Sequence, residues 1–103
     1  MLRNACLGAA TLILSGSTLA FAEDAGRGRS LAEAWCSSCH VIAPDAAGGD
    51  AGPAFETVAN REGQTLGGIM AWLFEPHPPM PDLMLSPADF RDLSAYIMSL
   101  RRE

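Results

Sequence analysis

The pattern of apolar and polar positions divides the 103-residue chain into an uncharged N-terminal segment and a helical remainder. Residues 5–22 contain no charged side chain, and residues 7–14 form their apolar centre. Beyond Asp24, apolar residues recur at intervals of three and four, which is the spacing of amphipathic helices. No stretch alternates with a period of two, so the pattern predicts an all-α fold of three or four helices.

The uncharged segment has the three parts of a secretory signal peptide. Arg3 gives it a positive start, the apolar centre follows, and Ala20-Phe21-Ala22 has the A-x-A form of a signal peptidase site. We therefore predict that residues 1–22 are removed and that residues 23–103 form the mature domain. The alternative is a retained membrane anchor, but the segment is long enough to span a membrane only if its Ser, Thr and Gly residues are counted as apolar.

The first helix of the mature chain is expected from Ala25 to about Ser38. Asp24 precedes it as a plausible N-cap. Leu31 and Trp35 follow helical spacing, and Gly28 leaves a flat spot on the same side of the helix.

Three more helical segments follow, each indicated by its start signal or its apolar spacing. A short helical turn is expected around residues 55–60. Thr65 is a candidate N-cap for a helix that runs to about residue 75. Ser86, followed by Pro at the first helical position and Asp at the third, begins a last helix that ends near residue 100. Its apolar stripe consists of Phe90, Leu93, Tyr96, Ile97 and Leu100.

A proline-rich segment separates the last two helices. Residues 75–81 contain four prolines, which exclude both a helix and a central strand. We expect an extended, stiff loop here. The apolar run Leu83-Met84-Leu85 that follows is expected to pack into the core.

Charge and cysteine content limit the function. Twelve acidic residues oppose seven basic ones, all of them Arg, for a formal net charge of −5. Loss of Arg3 with the signal would leave six Arg and a charge of −6. This balance excludes a nucleic-acid binder, which needs a cationic face. Of the three cysteines, Cys6 belongs to the predicted signal, which leaves Cys36 and Cys39 in the mature domain.

The two remaining cysteines belong to the motif Cys36-Ser37-Ser38-Cys39-His40, which is C-x-x-C-H. This spacing fits thioether bonds from both thiols to the two vinyl groups of a haem, with His40 on the iron. Three alternatives exist: a zinc site completed by His77, a thioredoxin-like redox pair, and a structural disulfide. Export, the adjacent His and the helical context favour covalent haem.

A second axial ligand to the haem iron is expected from the proline-rich segment. Met80 is the candidate, because Pro79 and Pro81 on either side restrict its backbone and a thioether suits ferrous iron. The alternatives are Met84, His77 as a second imidazole, and a Met80 that only packs as an apolar filler.

Four further stretches accompany the motif: residues 28–32, 52–55, 80–81 and 92–97. With them the whole mature chain resembles a class I c-type cytochrome of the small, exported bacterial kind. The resemblance implies a cytochrome c fold of three to four helices around one covalently bound haem c with its iron.

The resemblance also implies roles for individual residues. Cys36 and Cys39 match the thioether sites, His40 the proximal ligand and Met80 the distal ligand. Pro53 matches the proline whose carbonyl accepts a hydrogen bond from the proximal His.

Three further positions follow from the resemblance or bear on it. Gly28 matches the point where the first helix crosses the last, near Leu93 and Tyr96. The family often has an aromatic residue where Ala32 stands, and Trp35 is a candidate substitute. Trp72 is expected either to hydrogen-bond a haem propionate or to pack as a core aromatic.

With both axial positions filled by the protein, the iron has no open site for a substrate. The resemblance therefore implies an electron carrier and not an enzyme, which shuttles single electrons between respiratory or dehydrogenase partners in the periplasm. The acidic charge favours redox partners with a positively charged docking face, and no stable membrane insertion is expected after signal cleavage. Two alternatives are an electron-accepting haem c subunit of one oxidoreductase complex and a ligand-binding haem sensor.

Overall fold

A computed structural model describes residues 8–16, 23–75 and 77–103. The predicted cleavage site after Ala22 lies outside the described residues, as does the positive start at Arg3. Within the described ranges, no helix has the length and apolar character needed to cross a membrane.

Four helices make up the fold. They are α1 (Ala25–Trp35), α2 (Phe55–Ala59), α3 (Leu66–Phe74) and α4 (Pro87–Ser99). No strand occurs in the part of the chain that the structure describes. The predicted all-α fold is therefore confirmed.

The start signals of three helices act as the sequence predicts. The Asp24 side chain accepts a hydrogen bond from the backbone N–H of Arg27, and the Thr65 hydroxyl accepts one from Gly68, each at 2.9 Å. At α4, Ser86 and Asp89 form a reciprocal capping box. These bonds satisfy N–H groups that have no partner within the first turn of a helix.

Helix α4 packs against each of the other three helices, most extensively against α1. The two helices approach closely at Gly28. A Cβ atom there would lie 2.0 Å from the Asp92 backbone oxygen and 2.8 Å from the Tyr96 Cβ. The predicted crossing is confirmed, and only glycine fits it.

The side chain at this crossing differs from the one we expected. Ala32 is fully buried one turn after Gly28, whereas Trp35 is 55% exposed. Trp35 therefore does not replace the missing aromatic residue.

Helix α1 ends at Trp35, three residues earlier than expected. The backbone N–H groups of Cys36 and Ser37 both donate to the Ala32 carbonyl, at 2.9 and 3.1 Å. The chain then turns again within the C-x-x-C-H motif. The ladder of α1 therefore ends at Cys36, the first residue of the motif.

The segment between α3 and α4 also departs from expectation. The Met80 N–H donates to the His77 carbonyl at 2.8 Å, so residues 77–80 form a tight turn and not an extended loop. Met84 is 96% exposed, so the expectation that residues 83–85 pack together into the core is wrong for this residue. Leu85 does pack against the core.

A cluster of buried residues from all four helices and from the motif forms the core. Its members are Ala32, Cys36, Ile42, Phe55, Ala59, Ile69, Leu93, Tyr96 and Ile97. The buried Tyr96 hydroxyl donates to the Ile42 carbonyl at 2.6 Å. This bond joins α4 to the chain just beyond the motif and fixes the motif against the core.

Candidate functional site

The C-x-x-C-H motif forms a turn that brings its three side chains to one place. The N–H groups of Cys39 and His40 donate to the Cys36 carbonyl at 3.1 and 2.9 Å. Cys36 is buried and Cys39 is partly buried, and no disulfide joins them. Both thiols line the same cavity as the His40 ring.

The chemistry of these thiols bears on two of the alternatives. Burial raises the pKa of the Cys36 thiol to about 11. A thiol of that pKa is protonated at neutral pH, whereas a thioredoxin-like redox pair uses a thiolate. Among the described residues, no three His, Cys, Asp or Glu side chains form a group that could hold a metal ion. The zinc site built from the motif and His77 is therefore absent from this part of the chain.

The His40 ring is oriented by the loop that precedes α2. Its Nδ1 lies 2.7 Å from the Pro53 carbonyl oxygen. Because a carbonyl oxygen only accepts hydrogen bonds, Nδ1 is the donor, and in the neutral imidazole this leaves the lone pair on Nε2. A Cβ at Gly52 would lie 2.3 Å from His40 Cε1 and 2.8 Å from Nε2. The glycine thus allows the loop backbone to lie against the ring.

Two neighbouring cavities lie beside this ring. The first has a volume of about 600 Å³ and the second about 320 Å³. His40, Pro53, Trp72 and Met80 line both. The volumes fall in the range of cofactor sites, roughly 300–1,000 Å³, and the walls are mostly apolar.

These residues fit a covalently bound haem. Haem c attachment uses two thiols on one turn and a neighbouring imidazole whose Nε2 can bind iron. Here these groups line an apolar space that is also lined by a thioether. Arg61 is the one charged side chain among the described residues that line either cavity. A large apolar ring with acidic propionates is compatible with such walls.

The three candidates for the second axial ligand occupy different surroundings. Met80 lines both cavities together with His40. His77 lines the first cavity, but its ring is stacked on the Trp72 indole with 3.5 Å between ring centroids. Met84 lines neither cavity and projects into solvent.

Trp72 lies at the space that a haem would fill. It is 48% exposed and forms part of the wall of both cavities. Among the described residues, no group accepts a hydrogen bond from its indole N–H. Hydrogen bonding to a propionate therefore stays a prediction for this residue.

The structure also shows contributors that the sequence did not single out. Gly52 lies against the His40 ring, and the His77–Trp72 stack lies at the edge of the first cavity. Arg61 and Gln64 line the second cavity. The sequence did contain a signal for Gly52, because this glycine directly precedes Pro53, the residue expected to contact His40. No local pattern marks the other contacts, because they join segments that are distant in sequence.

The comparison with protein families agrees with this geometry. The model of the family described as Cytochrome c matches residues 25–101, which include the motif, both cavities and all four helices. The chain belongs to the cytochrome c family.

Among curated proteins, the chain is similar to Cytochrome c-552 of Bradyrhizobium diazoefficiens. The two are 44% identical over 101 residues, covering 97% of this chain and 95% of the relative. No solved structure matches the chain significantly. As a cytochrome c, the protein binds haem c with its iron and is an electron-transfer protein, not an enzyme.

Proposed function

We propose that the protein is an exported periplasmic carrier that moves single electrons between redox partners, with Cys36 and Cys39 bound to one haem c and with His40 and Met80 on its iron. The observation that carries this proposal is the position of His40 and Met80, which together line both cavities beside the two thiols. With both axial positions occupied by protein groups, no site is left for a substrate.

The haem, when bound, supplies an iron that accepts or gives up one electron. The residues around it would set how readily this happens. The hydrogen bond from His40 Nδ1 to the Pro53 carbonyl fixes the tautomer and makes the imidazole a stronger donor. A thioether from Met80 favours the ferrous state and raises the potential. The mostly apolar walls would lower the polarity around the iron, which also tunes the potential.

The surface charges support a partner with a positive docking face. Several arginines are engaged with acidic side chains of the same chain: Arg27, Arg29 and Arg102. Asp50 and Asp82 are exposed and directly adjoin residues that line the first cavity. Acidic residues next in sequence to the cavity lining support an acidic docking face, which a cationic partner surface would complement.

Carbon monoxide distinguishes the carrier from a ligand-binding sensor. We expect the reduced, purified protein to show the spectrum of a six-coordinate haem c and to bind carbon monoxide slowly and incompletely, because Met80 occupies the site. Rapid, stoichiometric binding would show that the iron is open, and the carrier function would be wrong.

Export is tested by fractionating cells that express the full-length chain. We expect holoprotein in the periplasmic fraction with Glu23 as its first residue, since the A-x-A site ends at Ala22. Recovery in the membrane fraction with residues 1–22 attached would show that the segment is an anchor. Purification as a fixed complex with one oxidoreductase would support a dedicated subunit instead of a mobile carrier.

A further inference from the structure

The turn that carries Met80 is attached to α3 by an aromatic stack. The His77 imidazole lies on the Trp72 indole with 3.5 Å between centroids and 13° between planes. The His77 Nδ1 also donates a hydrogen bond to the Glu75 carbonyl at 2.8 Å. Because Trp72 belongs to α3 and Glu75 is its C-cap, both contacts hold the imidazole against the end of that helix.

The main chain of the same residue is bonded to Met80. The Met80 N–H donates to the His77 carbonyl at 2.8 Å, which closes the turn of residues 77–80. His77 is therefore joined to α3 through its side chain and to Met80 through its backbone. The second of these bonds lies next to the thioether that lines both cavities.

We propose that His77 is a positioning residue that holds the Met80 thioether at the cavity through its stack on Trp72. This rests on the proposed ligation of the iron by Met80. It gives His77 a role other than axial ligation, because the stack and the Nδ1 bond keep the ring against α3. Trp72 takes part as the fixed surface on which the turn is anchored.

The consequence of this anchor is measurable without a redox partner. An external ligand reaches the iron only after Met80 has moved away. A weaker anchor raises the population of that open state, and the apparent affinity for the external ligand rises by the same factor. The probe we choose is imidazole, added to the oxidised holoprotein.

Two substitutions at His77 separate the contribution of the stacked ring from the contribution of its nitrogen atoms. His77→Ala removes the ring, and His77→Phe keeps a flat ring that can still stack. We expect His77→Ala to bind imidazole about 2- to 12-fold more tightly than the wild type, the size that corresponds to one lost aromatic pair. His77→Phe is expected to stay close to the wild type.

The other half of the stack and a matched control complete the series. Trp72→Leu leaves the sequence of the turn unchanged and is expected to shift imidazole binding in the same direction. It provides a second measurement if the His77→Ala protein fails to mature. Met84→Leu lies in the same inter-helix segment at a solvent-exposed position and is expected to leave the affinity unchanged.

Unchanged imidazole affinity in a matured His77→Ala protein would overturn the proposal, even if Trp72→Leu shifts it, because Trp72 also forms part of the wall of both cavities. So would a fall in the free energy of unfolding with no change in imidazole affinity, since that result indicates a structural role alone. The failure of the proposed function gives a different result. A wild-type protein without the methionine-to-iron charge-transfer band would contradict Met80 ligation itself, and the role of His77 with it.

Discussion

At the scale of single residues, three glycines show how the space around them determines what a substitution does. Gly28 faces the backbone of α4 at the helix crossing, and Gly52 faces the His40 ring. Gly67, within α3, has no atom within 4 Å of the Cβ position. The same change to alanine should therefore have three different outcomes.

Gly28→Ala is expected to destabilise the fold strongly. Its Cβ would lie 2.0 Å from the Asp92 oxygen, a backbone atom that cannot move without shifting α4. The cost should be about 3 kcal/mol, the upper end for overpacking a core. Gly67→Ala is the control and should gain about 1 kcal/mol, because alanine is the better helix former. Urea unfolding followed by far-UV circular dichroism measures both, and equal effects would contradict the crossing.

Gly52→Ala is expected to change the reduction potential of the iron as well as the stability of the fold. The new methyl group would lie 2.3 Å from His40 Cε1 and would force the ring away from the Pro53 carbonyl. A weaker Nδ1 bond makes the imidazole a poorer donor, so the reduction potential should rise. Potentiometric titration measures this change. A potential equal to that of the Gly67→Ala control would show that the Gly52 contact does not control the ring.

At the scale of helices and loops, the sequence predicted the elements whose signals are local. Asp24, Thr65 and Ser86 cap helices through hydrogen bonds to residues three positions away, so their effect is visible in the sequence. The apolar stripe of α4 is likewise a property of α4 itself, and four of its five residues are buried.

The expectations that were wrong concern features that depend on segments distant in sequence. The buried face of α1 contains Ala32 and not Trp35, because the close approach of α4 determines it. The turn at residues 77–80 is stabilised by the stack of His77 on Trp72. The prolines of this segment do not indicate such a contact, because Trp72 lies outside the segment. At the site, the motif, Met80 and the hydrogen bond between His40 and Pro53 could be named from the sequence, whereas the stack of His77 on Trp72 could not.

Helices α1 and α4 are also joined by a charged cluster at one end. Arg27 pairs with Asp89 and, at 3.0 Å, with Asp92, which also accepts the Asp24 backbone N–H. The Ser86 backbone N–H and the Arg27 guanidinium hold the pKa of Asp89 below its ordinary value of 3.8. A lowered carboxyl pKa stabilises the fold above the unfolded value, and this contribution is lost as pH falls through the folded value.

Arg27→Gln should therefore be less stable than the wild type at neutral pH, with a difference that shrinks below about pH 3.8. Arg29→Gln is the matched control, because Arg29 pairs with Glu33 in α1 and with Asp45, and not with α4. Unfolding free energies at a series of pH values between about 2 and 7 measure both variants. A difference from the wild type that persists unchanged at the acid end would contradict the assignment to Asp89.

At the scale of the whole molecule, the excess of acidic residues should govern encounters with small redox agents. The sequence contains 12 acidic and 7 basic residues and no lysine. Oxidation of the reduced protein by a cationic metal complex should slow as ionic strength rises from roughly 0.01 to 0.15 M, where the Debye length falls from about 30 to about 8 Å. Oxidation by an anionic complex should become faster. Stopped-flow kinetics measure both rates, and the opposite salt dependence would indicate a cationic patch at the exchange site.

The identity of the second axial ligand is the central claim about the whole molecule, because it determines whether the iron is closed or open. The most direct measurement is the absorption spectrum of the oxidised protein in Met80→Ala and Met84→Ala, followed at the methionine-to-iron charge-transfer band. We expect haem to remain attached in both variants, with the band lost in Met80→Ala and kept in Met84→Ala. A band that survives in Met80→Ala, or that disappears in Met84→Ala, would contradict the ligation by His40 and Met80.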